Sequence, residues 1–382
     1  MDKKAVKVSP VRILLDYRPA LRQRTGVGEY VHELARALVA SPPSSPEQVV
    51  LFSSSWKDRL DPQVIPGATT IDRRVPVRLL NFSWHRFGWP SIETFAGAAI
   101  DVAHSFHPLL MPARNAARVV TVHDLDFLDA PERTRAEIRR DYGALAGIHA
   151  RRADRVIANS RTTAHDVQQR LGVSESRITV CYPGAPGWTP RTKEPQAGYL
   201  LFLGALEPRK NIGVLLDAYE RLLAEMPEAP SLVLAGKAGA DSKLINARVA
   251  DRPLAGRVQL PGYITSEQRE QLFKGALAFV MPSHTEGFGM PVVEAMTAGV
   301  PVIAADRGAL PEVAGRAARF FEPDDVDGLT ALLKTIILDS GMRAAMRESG
   351  IGQAGQFSWR SSAAALRDAW TLAVESRRSA RG

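Results

Sequence analysis

Short apolar runs alternate with stretches of helical period along the whole chain, and few folds accept that alternation. In the first half the runs are VRILLD, VVLFSS, IDVAHSF, RVVTVHD, RVIANS and ITVCYP, separated by segments such as GEYVHELARALVA and AEIRRDYGALAGIHARRA. The second half repeats the scheme with YLLFLGA, SLVLAGK, RVQLPG, ALAFVMPS, VPVIAAD and ARFFEP. Strands that are apolar throughout are buried on both faces, and a helix between successive strands is the crossover that parallel pairing needs. The pattern predicts an α/β protein built on doubly wound parallel sheets. Single cores stop growing at roughly 250–300 residues, so a chain of 382 residues is expected to form two domains. The stretch PGAPGWTPRTKEPQAG carries Pro183, Pro186, Pro190 and Pro195 and reads as the linker, giving domains of residues 1–185 and 186–359. Two such domains would leave a cleft, with ligands bound outside the carboxyl ends of the strands.

Composition excludes several classes of protein. A single cysteine, Cys181, rules out an internal disulfide and a cysteine-cluster metal site, and it fits a reducing compartment. The run VRILLD is too short for the apolar part of a signal peptide, and no run approaches the roughly 18 residues that a spanning helix needs. A cytoplasmic protein is expected, with peripheral contact at the inner membrane face left open. At 45% hydrophobic and 24% charged residues the chain is ordinarily globular, and only the tail ESRRSARG reads as disordered. The formal net charge is +8, and residues 1–190 hold 26 Lys+Arg against 19 Asp+Glu. A basic first half suits an acidic partner (phosphorylated small molecule, anionic lipid surface or nucleic acid) or simply a solvated surface.

Five segments carry candidate chemistry. In TEGFGMPVVEAMTAGVP, Pro291 fits the first turn and Gly299 the stop of a helix over about 291–298. Gly287 and Gly289 would let a phosphate approach the amino end of that helix. Glu286 and Glu294 would accept hydrogen bonds from hydroxyls on either side, although the helix dipole alone also favours carboxylates there. In LFLGALEPRKNI a strand ends at Gly204, and Arg209 and Lys210 stand before Asn211, the cap of the next helix. They are placed to neutralise a diphosphate, or are exposed loop cations. In RTGVGEYVHELARAL, Gly26 and Gly28 precede a helix beginning near Glu29, without the third glycine of a dinucleotide fingerprint. In VVTVHDLDFL, His123 and Asp124 end a strand; the rival reading is a histidine bonded within its own loop. His104, His107 and Asp124 lack metal-ligand spacing, so no metal site is expected. In NFSWHRFGWPSIETFAG, Phe82, Trp84, Phe87 and Trp89 interleave with His85 and Arg86, which suits a membrane interface or an apolar acceptor as well as packing.

Taken together the chain resembles glycosyltransferase family 4, retaining nucleotide-sugar transferases of GT-B type with two Rossmann-like domains. The segments that carry the resemblance are DYRPALRQRTGVGEY, VHDLDF, VIANSRTTAHDV, LFLGALEPRKNI, the run from PGYITSEQ to RGALPEVAG, and the terminal FSWRSSAAALRDAW. It implies that Glu286 binds donor-sugar hydroxyls near the reacting carbon and Glu294 the ribose. Gly204 and the backbone of Gly287, Phe288, Gly289 and Met290 would line the donor, with Arg209 and Lys210 neutralising the diphosphate. Gly26 and Gly28 would approach that diphosphate from the first domain, His123 would contact the sugar, and Gly262, Tyr263 and Ile264 would hold the nucleobase. A helix over about 360–378 would pack back on the first domain. Asn159-Ser160 matches an end-of-strand signature without a chemical role. Three departures stand out: Ala205 where some members have arginine, Gly308-Ala309 where many have two glycines, and CYPGAPGW in place of the common inter-domain segment.

The expected activity is metal-independent transfer of a hexose to a glycan or a lipid-pyrophosphate-linked acceptor in polysaccharide assembly. Mannose from GDP-mannose is the first choice. No cofactor is expected beyond the nucleoside diphosphate sugar as co-substrate, and no nucleic-acid partner. The alternatives are a nucleotide-sugar epimerase or phosphorolytic enzyme on the same architecture, and a non-catalytic protein binding nucleotide sugars or nucleic acid.

Overall fold

The computed structural model describes residues 10–22, 24, 26–43, 46–131 and 136–381, with only the backbone considered at 136–140. It divides into two compact units, the first built from the chain up to Gly184 and from Trp359 onward, the second mainly from Ala185–Ser358.

The strands of the first unit are β1 (Val11–Asp16), β2 (Glu47–Ser54), β3 (Thr69–Arg73), β4 (Val102–Ser105), β5 (Ala117–Val122), β6 (Arg155–Ala158) and β7 (Ile178–Val180). They lie in the order β3-β2-β1-β4-β5-β6-β7, every pair parallel. The second unit contains β8 (Tyr199–Leu203), β9 (Leu232–Ala235), β10 (Val258–Gly262), β11 (Ala276–Met281), β12 (Val302–Ala305) and β13 (Ala318–Phe321). These run β10-β9-β8-β11-β12-β13, again all parallel. In both sheets the strand order reverses beside the first strand, the Rossmann-like arrangement. Central strands are buried along their whole length, as at β4, β6, β9, β11 and β12. That is why the sequence marks β9, β11 and β12 as unbroken apolar runs.

Strand β3, TTIDR, has no such signal. It is an edge strand, exposed or half-buried throughout, with Ile71 its one apolar residue. Edge strands have one neighbour and need no apolar pattern.

The chain's last helix, Trp359–Ser379, belongs to the first unit. It buries Ala363, Leu366, Ala369, Trp370 and Ala373, a helical stripe. The Trp370 indole N–H donates to His104 Nδ1 at 3.3 Å, and Arg367 grips Glu47 with two bonds of 2.9 Å. At Gly184 a Cβ would lie 2.2 Å from the Trp359 nitrogen, so only glycine allows this close approach. The expected disorder from Glu375 onward is not seen: the helix continues to Ser379, and Arg377 donates to the Arg114 carbonyl at 3.1 Å. The proline-rich stretch is likewise no free tether. Its Arg191 is buried, with Nε donating to Gly299 O and its backbone N–H to Ala298 O, both at 3.1 Å. Among the described residues no helix is long and apolar enough to cross a membrane.

Trp370→Ala removes the largest buried side chain of the last helix. It is expected to lower the stability of the first domain by about 3–5 kcal/mol, read as a lower urea midpoint. An unchanged midpoint would show that the helix contributes nothing to that core.

Candidate functional site

In the second unit the chain leaves β8 for one side of the sheet and returns to the other through β11, so the carboxyl ends of these neighbours form the switch point where open α/β sheets bind ligands. Gly204 follows β8, and the single-turn helix Pro208–Lys210 follows it. Beyond β11 come Ser283, Glu286 and the helix Met290–Thr297. The two loops are tied together, His284 N–H donating to Arg209 O at 2.9 Å. Asn211 takes the left-handed conformation, φ 53°, and its side-chain amide donates to Pro323 O at 2.8 Å. It occupies the position before the helix Ile212–Glu225 but makes no side-chain cap bond to it, its side chain being turned to the neighbouring loop.

The two cations expected to face a diphosphate both point at Glu286. Lys210 Nζ donates to Glu286 Oε1, Arg209 Nη1 stands 3.4 Å from Oε2, and Ser283 Oγ donates to Oε1 at 2.7 Å. Glu286 and Lys210 are buried and Arg209 is half-buried. Burial by itself would raise the Glu286 carboxyl. Lys210 and Arg209 outweigh it, helped by the bonds from Lys210 and Ser283, and bring it from 4.5 to about 2. Burial pulls the Lys210 ammonium down, with Glu286 opposing. At neutral pH the site therefore holds an ionised carboxylate between cations.

Its backbone is clamped as well. Ala309 N–H donates to Glu286 O at 2.9 Å, and a Cβ on Gly308 (φ +58°) would lie 2.7 Å from that oxygen. The loop after β12 thus fixes Glu286, and of the pair Gly308-Ala309 only the first position demands glycine. Gly236, just after β9, plays a similar part for Gly204: a Cβ on Gly236 would fall 1.9 Å from Gly204 O.

Glu294 lies buried within the helix Met290–Thr297, 3.0 Å from Arg269 Nη1. Arg269 sits in PGYITSEQREQLF, on the helix Ser266–Lys274, and the sequence offered no reason to pair it with Glu294. Gly289 (φ +92°) precedes the Met290 helix, and a Cβ there would strike Leu310 at 2.7 Å. The Phe288 ring is buried edge-on against Phe357, centroids 5.4 Å apart, so its side chain is core. Gly262 ends β10 in the left-handed region, φ +77°, with Tyr263 and Ile264 half-buried beyond it.

In the first unit the helix of residues 27–40 starts at Val27, so Gly26 (φ 49°) is its cap position and Gly28 lies inside it rather than before it. A Cβ on Gly28 would sit 2.6 Å from Pro19 O, so this glycine is required by the turn Arg18–Ala20 packed on it. His123 Nε2 meets Phe106 O at 3.2 Å, and the ring packs edge-on against Tyr30 at 5.2 Å. Burial, partly offset by Asp124 and the Phe106 carbonyl, lowers the imidazole to about 4. A neutral ring donating through Nε2 presents Nδ1 as an acceptor. Ser160 acquires a role: its Oγ accepts from Thr163 N–H at 2.9 Å to cap the helix Arg161–Leu171, and Thr163 Oγ1 in turn donates to His123 O at 3.3 Å. At the end of β1, Arg18 clasps Asp16 with bonds of 2.7 and 2.6 Å, joined by His107 Nε2 at 3.2 Å. Burial would raise the Asp16 carboxyl, but the Arg18 guanidinium, with the hydrogen bond from His107, outweighs it and holds Asp16 far below the usual carboxylate range. No sequence signal singled out that cluster.

Comparison with known proteins places these features in a family. A model described as Glycosyltransferase Family 4 matches residues 24–186, and one described as Glycosyl transferases group 1 matches residues 190–353. O-antigen chain mannosyltransferase B of Escherichia coli is 39% identical over 162 residues, 42% of this chain and 42% of that protein. A D-inositol 3-phosphate glycosyltransferase of Streptomyces scabiei is 30% identical over 312 residues, 76% of this chain and 66% of the relative. The match thus spans less than half of the mannosyltransferase. Among solved structures, the sucrose-phosphate synthase of Thermosynechococcus elongatus superposes with TM-score 0.77 at 19% identity, over 94% of this chain and 98% of that one. WaaG, a glycosyltransferase involved in lipopolysaccharide biosynthesis, gives 0.71 at 16%, over 94% and 99%. At such identities the structures speak for the fold, that of GT-B proteins with two Rossmann-like domains. The chain belongs to the family 4, group 1 glycosyltransferases.

The Glu286 ion cluster should also be visible in stability. A carboxyl whose folded value is depressed stabilises above its unfolded value and loses that contribution as pH falls through the folded one. The second domain should therefore weaken from about pH 4.5 down toward about pH 2 through this group. Urea midpoints of wild type and Glu286→Gln across that range test it: the slope should be shallower in the variant, and identical slopes would refute the assignment.

Proposed function

We propose that the second domain binds a nucleoside diphosphate sugar and that the chain transfers its hexose to an acceptor with retention of configuration. The observation that carries this is the Glu286–Lys210–Arg209 cluster at the β8/β11 switch point. Breaking a sugar–phosphate bond requires stabilising charge on the departing diphosphate. Arg209 and Lys210 supply it, aided by the amino end of the helix Met290–Thr297.

Glu286 in this reading accepts hydrogen bonds from donor-sugar hydroxyls. A carboxyl held ionised at neutral pH gives up no proton, and two cations on it weaken it as a base and as a nucleophile. Retention is accordingly assigned to same-face attack, in which the leaving phosphate takes the acceptor's proton. Glu294, oriented by Arg269, binds the ribose. The backbone at Gly287, Phe288, Gly289 and Met290 lines the sugar and phosphates, Gly204 leaves room beside them, and Gly262, Tyr263 and Ile264 hold the base. We assign Gly26 and Gly28 to the diphosphate and His123, accepting through Nδ1, to a sugar hydroxyl. The reaction proceeds without a metal and without a further cofactor.

We take mannose as the sugar and GDP as the carrier, on the strength of mannosyltransferase relatives such as O-antigen chain mannosyltransferase B. The acceptor is a glycan or a lipid-pyrophosphate-linked saccharide. Relatives named for inositol 3-phosphate keep a phosphorylated polyol as the competing acceptor.

Nucleoside diphosphate release from a panel of donor sugars, in excess EDTA, tests the activity. Glu286→Ala and Arg209→Ala are each expected to lower turnover about a hundredfold or more, while Glu228→Ala leaves it unchanged; equal rates in all three would sink the reading. GDP should raise the melting temperature of wild type, and Glu294→Ala should blunt that rise. A larger rise with UDP would move the donor away from GDP, and product formed without acceptor would indicate an epimerase.

A further inference from the structure

The aromatic-basic stretch of the first unit forms a built pocket that the donor chemistry does not use. The helix Val77–Phe87 turns Leu80 and Trp84 inward and leaves Leu79 and Phe82 outward, 64% and 60% exposed. Phe87 and Trp89 follow at 68% and 64%. These rings are held in place: Phe82 and Phe87 meet edge to face at 5.8 Å, Ser83 Oγ donates to Trp89 O, and the Trp84 indole donates to Pro90 O at 2.9 Å. An ordered cluster of large apolar side chains turned to solvent marks a surface that meets something other than water.

Beneath the rim lies a pocket of about 370 Å³, lined by His85, Arg86, Arg114, Arg118, His149 and Arg152 together with Trp84, Phe87 and Trp89. Among the described residues no carboxylate lines it. Three acids of the described residues contact the wall without entering it: Asp141 lies 3.8 Å from His85, Asp154 3.5 Å from Arg118, and Glu93 accepts from the backbone N–H groups of Arg114, Asn115 and Ala116, which leaves Arg86 and Arg152 among the wall cations that form no ion pair with a described residue. His149 accepts the Leu110 N–H on Nδ1 at 2.9 Å, which leaves its Nε2–H as a donor. Across residues 73–92 there are four arginines and no acid. Arg118 is the second residue of β5, and His149 and Arg152 end the helix before β6. On this side the pocket reaches the amino end of β5, whereas its Trp84 wall lies beneath Arg18 at the carboxyl end of β1. His123 follows the other end of β5, about 16 Å further along.

We propose that this pocket receives the phosphate headgroup of an anionic phospholipid while Phe82, Phe87 and Trp89 enter the headgroup–acyl boundary, seating the first domain on a bilayer. The chemistry fits in both halves. Arginines bind phosphate through paired N–H groups, aromatic rings prefer the interface, and a basic run adjoining them is drawn to anionic lipid. A soluble anion would use the cations and leave the outward rings without a purpose.

Vesicle flotation of the full chain tests this, with phosphatidylcholine alone and mixed with phosphatidylglycerol. The protein should float with the mixed vesicles, less so in high salt, and remain behind with neutral ones. Phe87→Ser with Trp89→Ser, and separately Arg86→Gln with Arg152→Gln, should each lower partitioning about tenfold or more. Circular-dichroism melting checks that these surface variants stay folded. Wild-type flotation by both variants, equal binding to neutral vesicles or no flotation would each overturn the proposal, as would calorimetric binding of inorganic phosphate without flotation, which would assign the pocket to a soluble anion. Donor turnover without vesicles is read in parallel, so its loss counts against the transferase reading and not against this one.

Discussion

A carboxylate buried between two cations organises the ligand end of the second domain. Placing Glu286 out of water costs several kcal/mol, and Coulomb attraction repays it only when hydrogen bonds and geometry are good. Here Lys210, Arg209 and Ser283 supply three partners from the loops after β8 and β11, and the loop after β12 clamps the Glu286 backbone through Ala309 and Gly308. One ionic group therefore fixes the relative positions of three loops.

The first domain carries an analogous solution at the corresponding place. Its first strand ends in Asp16, clasped by Arg18 and approached by His107, just as the second domain's first strand leads to Arg209 and Lys210. The two sheets share strand order, so each presents strand ends with exposed backbone polarity at the same topological point, and each fills that point with an ion cluster. The partners differ. Arg18 also lies over the Trp84 ring, 5.0 Å from its centroid, and donates to Asn81, which connects this cluster to the aromatic helix.

Several residues prominent in the sequence are already constrained by packing. Gly28 reads as a glycine that admits a phosphate, yet the carbonyl of Pro19 already forbids a side chain there. Phe288 sits in the middle of the most distinctive motif, yet its ring is core. His123 ends its strand with one nitrogen engaged by Phe106 and one open to act as acceptor. In such places packing alone already constrains a residue of the motif, and the structure names the atom on which it acts.

By itself the sequence determined two parallel-sheet domains, their strands, and the segments that supply Glu286, Glu294, Arg209, Lys210 and the glycines around them. It could do so because buried parallel strands need unbroken apolar runs and glycine turns have a local backbone cause. Edge strand β3 escaped for the same reason: with one neighbour and one apolar residue, it has no pattern to betray it. Only the tertiary structure decided the pairings. That Lys210 and Arg209 face Glu286 across 76 and 77 residues, that Arg269 meets Glu294, and that Gly308 is needed by the Glu286 backbone are through-space facts with no periodicity in the chain. Local propensity acts over a few residues, whereas an ion pair is set by where two loops end, and that is fixed only once the sheet has placed its strands side by side.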